Sequence, residues 1–150
     1  MLSIQSDTDV AIIGAGTAGL AAYRAVQSTG KRALFIEGGA YGTTCARVGC
    51  MPSKLLIAAA EAAHHARHAD PFGVRVESVT IDGVAVMARV RRERDRFVGF
   101  VLESVESFPK ANRLTARVRF QDASTLVTED NQLIRVQSCV VASRSSHVLA

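Results

Sequence analysis

Two cysteines, Cys45 and Cys50, stand in the run Cys-Ala-Arg-Val-Gly-Cys, which leads straight into Met51-Pro52-Ser53-Lys54. Three roles suit such a pair: redox exchange through a disulfide, metal ligation, or no chemistry at all as two inert buried thiols. Residues five apart on a straight helix rise about 7.5 Å, and cysteine Cα atoms more than about 7 Å apart cannot be bridged without backbone movement. A disulfide here therefore requires a bent or loosened turn, which Gly49 permits before Pro52 opens a regular helix. A helix N-terminus lowers a cysteine pKa because its dipole favours thiolate, and Lys54 in that turn adds positive charge. For zinc, the four-residue gap lies at the edge of the usual spacing, and His64, His65 and His68 downstream read as surface or packing residues on a polar helical stretch. The third cysteine, Cys139, sits in an apolar run and reads as a core residue.

A second constellation precedes the cysteines. Gly14, Gly16 and Gly19 form Gly-Ala-Gly-Thr-Ala-Gly directly after an apolar run, and Glu37 closes a second apolar run 23 positions beyond Gly14. The first glycine permits a tight turn, the second lets the backbone approach a pyrophosphate, and the third lets helix and sheet pack closely. The helix that follows offers free N–H groups at Thr17 and Ala18 to the phosphates, while Glu37 can accept hydrogen bonds from an adenosine ribose and would repel a 2′-phosphate. The motif itself leaves open whether the dinucleotide is NAD or FAD.

The elements that must position these groups follow from pattern. Residues 9–13 read as a strand, 18–28 as an alanine-rich helix stopping at Gly30, and 33–36 as a second strand: a βαβ unit that implies a parallel sheet. A glycine- and threonine-rich loop, 38–44, then leads to a helix over 53–68 that ends near Asp70, Pro71 and Gly73. Apolar positions Met87, Val90, Phe97, Val101, Val105 and Phe108 recur at helical spacing and predict one long amphipathic helix within 81–108. Runs 113–120 and 134–141, with turn signals at 121–124 and 129–131, predict a small β meander and a returning core strand. The fold class is α/β, with a Rossmann-like nucleotide-binding arrangement.

At 150 residues, 48% hydrophobic and 21% charged, the chain has material for one globular domain with a real core. No apolar run reaches the roughly 18 residues of a membrane span, and the N-terminus has Asp7 and Asp9 rather than a basic start before an apolar stretch, so the expected location is the cytoplasm, away from membranes. The net charge of +4 does not predict a nucleic-acid partner: the densest arginine cluster, Arg89 to Arg96, is broken by Glu93 and Asp95 and lacks interleaved aromatics.

Taken together, the glycine fingerprint, Glu37-Gly38-Gly39, Gly42-Thr43-Thr44-Cys45 and Val48-Gly49-Cys50-Met51-Pro52-Ser53-Lys54 resemble the FAD-dependent pyridine nucleotide-disulfide oxidoreductases, nearest the dihydrolipoamide dehydrogenase branch, with mercuric and glutathione reductases sharing much of the pattern. The resemblance implies FAD at Gly14, Gly16, Thr17, Ala18, Gly19, Glu37 and Gly38, with Gly42, Thr43 and Thr44 leading toward the flavin, and with Ala116 and Ser143 lining the cofactor. It implies that Cys45 is the thiol exchanging with substrate, that Cys50 lies nearer the flavin, and that Lys54 stands beside the ring. It further implies a disulfide substrate of the lipoyl type, NAD⁺ as acceptor in a complete enzyme, and a homodimer. By the same comparison the chain corresponds to the N-terminal part of the FAD domain, without the NAD and dimerisation domains, and would not turn over alone; the alternative is a non-catalytic nucleotide-binding or interaction module. Ala116 stands at a position that is glycine in the family, and Ala142-Ser143-Arg144 where the family reads Ala-Thr-Gly.

Overall fold

The computed structural model describes residues 4–143. In chain order its elements are β1 (Ile4–Ile13), α1 (Thr17–Ser28), β2 (Ala33–Glu37), α2 (Thr44–Arg47), α3 (Cys50–Arg67), α4 (Gly83–Glu106), β3 (Arg113–Thr115), β4 (Val118–Asp122), β5 (Thr125–Thr128) and β6 (Leu133–Val141). They fall into two units, Met1–Thr43 with Val101–Ala150, and Thr44–Phe100.

The first unit is built on one six-stranded sheet of order β3-β2-β1-β6-β5-β4. β1 pairs in parallel with β2 on one side and β6 on the other, β2 pairs in parallel with β3, and β5 is antiparallel to both β6 and β4. Side chains alternate between the two faces, as the two-residue period of a strand requires. Val10, Ile12 and Phe35 join Leu20, Tyr23, Val105 and Phe108 in one cluster, while Ala11, Leu34 and Ile36 join Leu126, Ile134 and Val136 in another. A strand buried on both faces is what a parallel sheet demands, and the unbroken apolar run of β2 supplies it. The first cluster is aromatic at its centre. Tyr23 stacks on Phe108 at 4.1 Å between centroids and its hydroxyl accepts hydrogen bonds from Gln27 and Asn112, both at 3.0 Å.

The βαβ expectation is met within a few residues, and the long helix is α4. The expected single strand over 113–120 is not: the chain divides there into β3 and β4, which lie at opposite edges of the sheet. The cause is local. After Thr115, which pairs with Glu37, the Ala116 N–H donates to the Glu37 carbonyl at 3.1 Å and the strand ends against the tip of β2. Two residues, Ala116 and Arg117, then separate the edges, so with Cα atoms about 3.8 Å apart the ends of β3 and β4 lie within about 11 Å. The sheet therefore curls round until its edges nearly meet at that point.

In the second unit the helix expected over 53–68 starts earlier, at Cys50, with Pro52 as its third residue. Proline fits because the first-turn N–H groups of a helix have no intrahelical acceptor. α3 ends at His68, and a short 3-10 turn over Asp70–Phe72 closes at Gly73, whose φ of 74° is left-handed.

Candidate functional site

The C-terminal ends of β1, β2, β3 and β6 converge on the glycine loop. Gly14 has φ 110°, and a Cβ there would stand 2.3 Å from the Ala142 carbonyl oxygen and 2.9 Å from the Ser143 nitrogen, so β6 runs past the loop at a distance that excludes a side chain. A Cβ at Gly19 would stand 1.9 Å from the Gly14 carbonyl oxygen. Gly16 differs: nothing lies within 4 Å of the position its Cβ would take. Gly14 and Gly19 are thus required by the protein's own packing, whereas the space at Gly16 faces outward, beside the exposed first residues of α1, Thr17 and Ala18. Gly16 is the N-cap of α1 and supplies no side-chain cap, which leaves the helix's positive end to an external acceptor. A pyrophosphate fits that cradle.

Glu37 ties the corner together. Its carboxylate accepts the Ala15 N–H at 2.7 Å through Oε2 and the Gly39 N–H at 2.8 Å through Oε1. Each oxygen keeps a second lone pair, the capacity a ribose hydroxyl would use. Ala116 reaches this corner through its bond to Glu37, and Ser143 reaches it beside Gly14. Arg117, which sequence reasoning did not single out, lies across Gly38: a Cβ on Gly38 would stand 2.4 Å from Arg117 Cγ. No signal in one sequence marks it, because its placement depends on the break between β3 and β4. The loop beyond Glu37 carries two positive φ values, 114° at the buried Gly42 and 50° at Thr43. Between them and Glu37, the Tyr41 hydroxyl is buried with no hydrogen-bond partner among the described residues. Arg144 lies outside the described residues.

The thiol segment belongs to the second unit. Cys45 lies in α2 and Cys50 is the first residue of α3, with Gly49 at φ −118° and ψ −107° between two separate helices. The Val48 N–H donates to the Thr44 carbonyl at 3.1 Å and the Ser53 N–H to the Gly49 carbonyl at 3.2 Å, so each helix completes its own first bonds around the break. The turn required for two cysteines at this spacing to meet is therefore present. Both are free thiols, and the chain folds back at Gly49 so that Cys45 Cα lies 3.7 Å from where a Gly49 Cβ would stand, next to Cys50. The adjacent Cys50 side chain, and after it desolvation, push the Cys45 thiol up from the ordinary thiol value, while the Cys50 backbone and the charge of Lys54 pull the other way. Cys50, as the first residue of α3, is the cysteine at the long helix's N-terminus. Cys139 is half-buried in β6 opposite Ala11, and burial raises its thiol.

The histidines downstream form a local arrangement on α3. His64 and His68 stack at 4.1 Å, and His68 Nδ1 lies 2.8 Å from the His64 carbonyl oxygen. Among the described residues no three ligating side chains converge as a metal site, and no helix is long and apolar enough to cross a membrane.

Residues 8–148 match the sequence profile of the pyridine nucleotide-disulphide oxidoreductases. A mercuric reductase of Shigella flexneri is 33% identical over 91% of this chain and 25% of its own length. A dihydrolipoyl dehydrogenase of Geobacillus stearothermophilus is 35% identical over 80% of this chain and 25% of its own length, and one of Haloferax volcanii is 33% identical over 95% and 31%. The chain spans about a quarter to a third of the length of these relatives. Among solved structures, the HOCl-induced flavoprotein disulfide reductase RclA from Escherichia coli superposes with a TM-score of 0.72 at 20% identity, over 95% of this chain and 29% of that one, a likeness of fold.

Proposed function

Because this chain belongs to the pyridine nucleotide-disulphide oxidoreductase family, we propose that it carries the FAD-binding and thiol-exchanging portion of an enzyme of the dihydrolipoyl dehydrogenase type. The observation that supports this most is the break at Gly49, which folds α2 back so that Cys45 Cα lies 3.7 Å from where a Gly49 Cβ would stand, beside Cys50 at the start of α3. A break of this kind is what two cysteines at this spacing need to close a disulfide.

In this reading Gly14, Gly16, Thr17, Ala18 and Gly19 take the pyrophosphate, Glu37 the ribose, and Gly38 and Ala116 the adenosine end. Gly42, Thr43 and Thr44 lead toward the flavin, which Cys50 and Lys54 would flank, and Ser143 closes the glycine loop. FAD, when bound, would supply two-electron exchange between the cysteine pair and a pyridine nucleotide. The chain's own chemistry is thiol–disulfide exchange. A substrate dithiol attacks Cys45 of the oxidised pair, the Cys45–Cys50 bond breaks, and Cys50 leaves as thiolate. The second substrate thiol then displaces Cys45, so that the substrate becomes a disulfide, the pair becomes two thiols, and two electrons have moved. Lys54 would favour the charged leaving thiolate.

The test is a visible spectrum of the purified chain incubated with FAD and desalted, repeated after mild dithiol reduction. The expected result is a retained flavin band that gains long-wavelength charge-transfer absorbance when Cys50 is reduced; loss of all flavin on desalting would sink the reading. The likeness to the Shigella mercuric reductase favours a second substrate for the same thiols, a soft divalent cation. Mercuric ion bound stoichiometrically by the reduced pair, without thiol exchange with dihydrolipoamide, would favour it.

A further inference from the structure

We propose that Arg117 is an adenine-contacting residue: its side chain, laid across Gly38 at the tip of β2, forms one wall of the place where the adenine ring of the dinucleotide rests. The inference rests on the dinucleotide reading above and adds to it a residue that the glycine fingerprint does not contain.

The geometry runs from the ends of the nucleotide inward. The open space at Gly16 and the first turn of α1 take phosphates, and Glu37 stands at the end of β2 where a ribose hydroxyl would be held. In an adenosine 5′-phosphate the base and the 5′-carbon are carried on C1′ and C4′, the two carbons flanking the ring oxygen, so a ribose whose hydroxyls meet Glu37 and whose 5′-carbon leads to the phosphate cradle leaves its base beside Glu37, where Gly38 and the end of β3 stand. Arg117 occupies that end. Its Cγ, Cα and Cβ lie 2.4, 3.2 and 3.3 Å from where a Gly38 Cβ would be, so the missing side chain at position 38 is what admits the arginine stem.

The backbone of Arg117 is held on both sides. Ala116 is bonded to the Glu37 carbonyl at 3.1 Å, and Val118 pairs with Thr128. The guanidinium is exposed and makes no ion pair or hydrogen bond among the described residues. Glu37 at this corner already accepts the N–H groups of Ala15 and Gly39, and Glu129, which lines the same recess as Arg117, makes no ion pair with it. A planar cation with a fixed base and no partner stacks well on an aromatic ring. The other ligand chemistry for an arginine beside a ribose is a 2′-phosphate; Glu37 at that sugar would repel it, and this decides for the base.

The experiment is calorimetric titration of the purified chain with 5′-AMP, comparing the unaltered protein, Arg117→Ala and Arg117→Lys, with thermal unfolding of each as a control. The alanine variant is expected to bind 5′-AMP about three- to tenfold more weakly, the lysine variant to fall between, and all three to unfold at the same temperature. Equal affinity in all three proteins overturns the role of Arg117 and leaves the dinucleotide reading standing. Tighter binding of 2′,5′-ADP than of 5′-ADP, lost in Arg117→Ala, overturns it in favour of a 2′-phosphate. No binding of 5′-AMP by the unaltered chain overturns both readings together.

Discussion

At the scale of single residues, three glycines of one motif answer to different constraints. Gly14 and Gly19 have backbone oxygens 2.3 and 1.9 Å from where a Cβ would stand, and Gly16 has open space. Gly14→Ala, at a φ of 110°, is therefore expected to destabilise the fold by a few kcal/mol (roughly the 1–3 of a strained backbone position plus the clash). Gly16→Ala, at φ −79°, should unfold at the unaltered temperature yet bind adenine nucleotides about tenfold more weakly, ~1.4 kcal/mol. Thermal unfolding and nucleotide titration of the pair check this, and a Gly16 variant that unfolds early would refute the division. The motif itself was legible in the sequence because its residue types are chemically constrained. Arg117 was not, since no pattern in one chain says which exposed arginine comes to lie over Gly38. The influence of Cys50 on the Cys45 thiol is of the same kind: Lys54 is visible in sequence, and how the chain folds back at Gly49 to set the two side by side is not. Removing that neighbouring thiol in Cys50→Ala should lower the Cys45 midpoint, so the variant's single segment thiol should be alkylated faster than Cys45 of the reduced parent at neutral pH. Rates measured from pH 6 to 10 would show the profile shifted to lower pH; an unchanged profile would remove Cys50 as the cause.

At the scale of elements, the helix periods and the βαβ unit were readable because burial repeats at 3.6 and 2 residues. The split of 113–120 into β3 and β4 was not, because alternation continues across it and the break is set by the tip of β2. The link between β1 and the start of β2 makes a testable contribution of its own. Asp9 accepts the Arg32 backbone N–H at 2.8 Å and pairs with its guanidinium at 2.9 Å. Those side-chain and backbone hydrogen bonds hold its carboxyl below the usual range. A carboxyl depressed in the folded state stabilises above its unfolded value, about 3.9, and loses that contribution as pH falls through the folded value. Asp9→Asn should therefore be less stable than the parent near neutrality and converge on it below about pH 4. Denaturant midpoints across pH 3–7 that stay parallel would contradict this. Deeper in the same unit, Phe108→Ala would empty a site stacked on Tyr23 and should cost about 3–5 kcal/mol, a large share of the roughly 5–15 of a whole domain.

At the scale of the whole molecule, composition predicted one core, and the chain resolves into two units of unequal burial. The first is centred on β1, Tyr23 and Phe35. The second leaves Leu56, Ile57 and Phe100 about half exposed and has no buried residue on α3. Apolar surface of that kind favours association, so light scattering should show apparent mass rising with concentration; a monomer at high concentration would count against it. The position of β1 has one more implication. It is flanked by β2 and by β6, whose residues follow it by about 120 positions. A ribosome adding about 5–20 residues per second delivers β6 roughly 6 to 24 seconds after β1. For that interval the nascent chain presents a buried-type strand with one open edge, the condition in which chaperone capture and misassembly compete with folding.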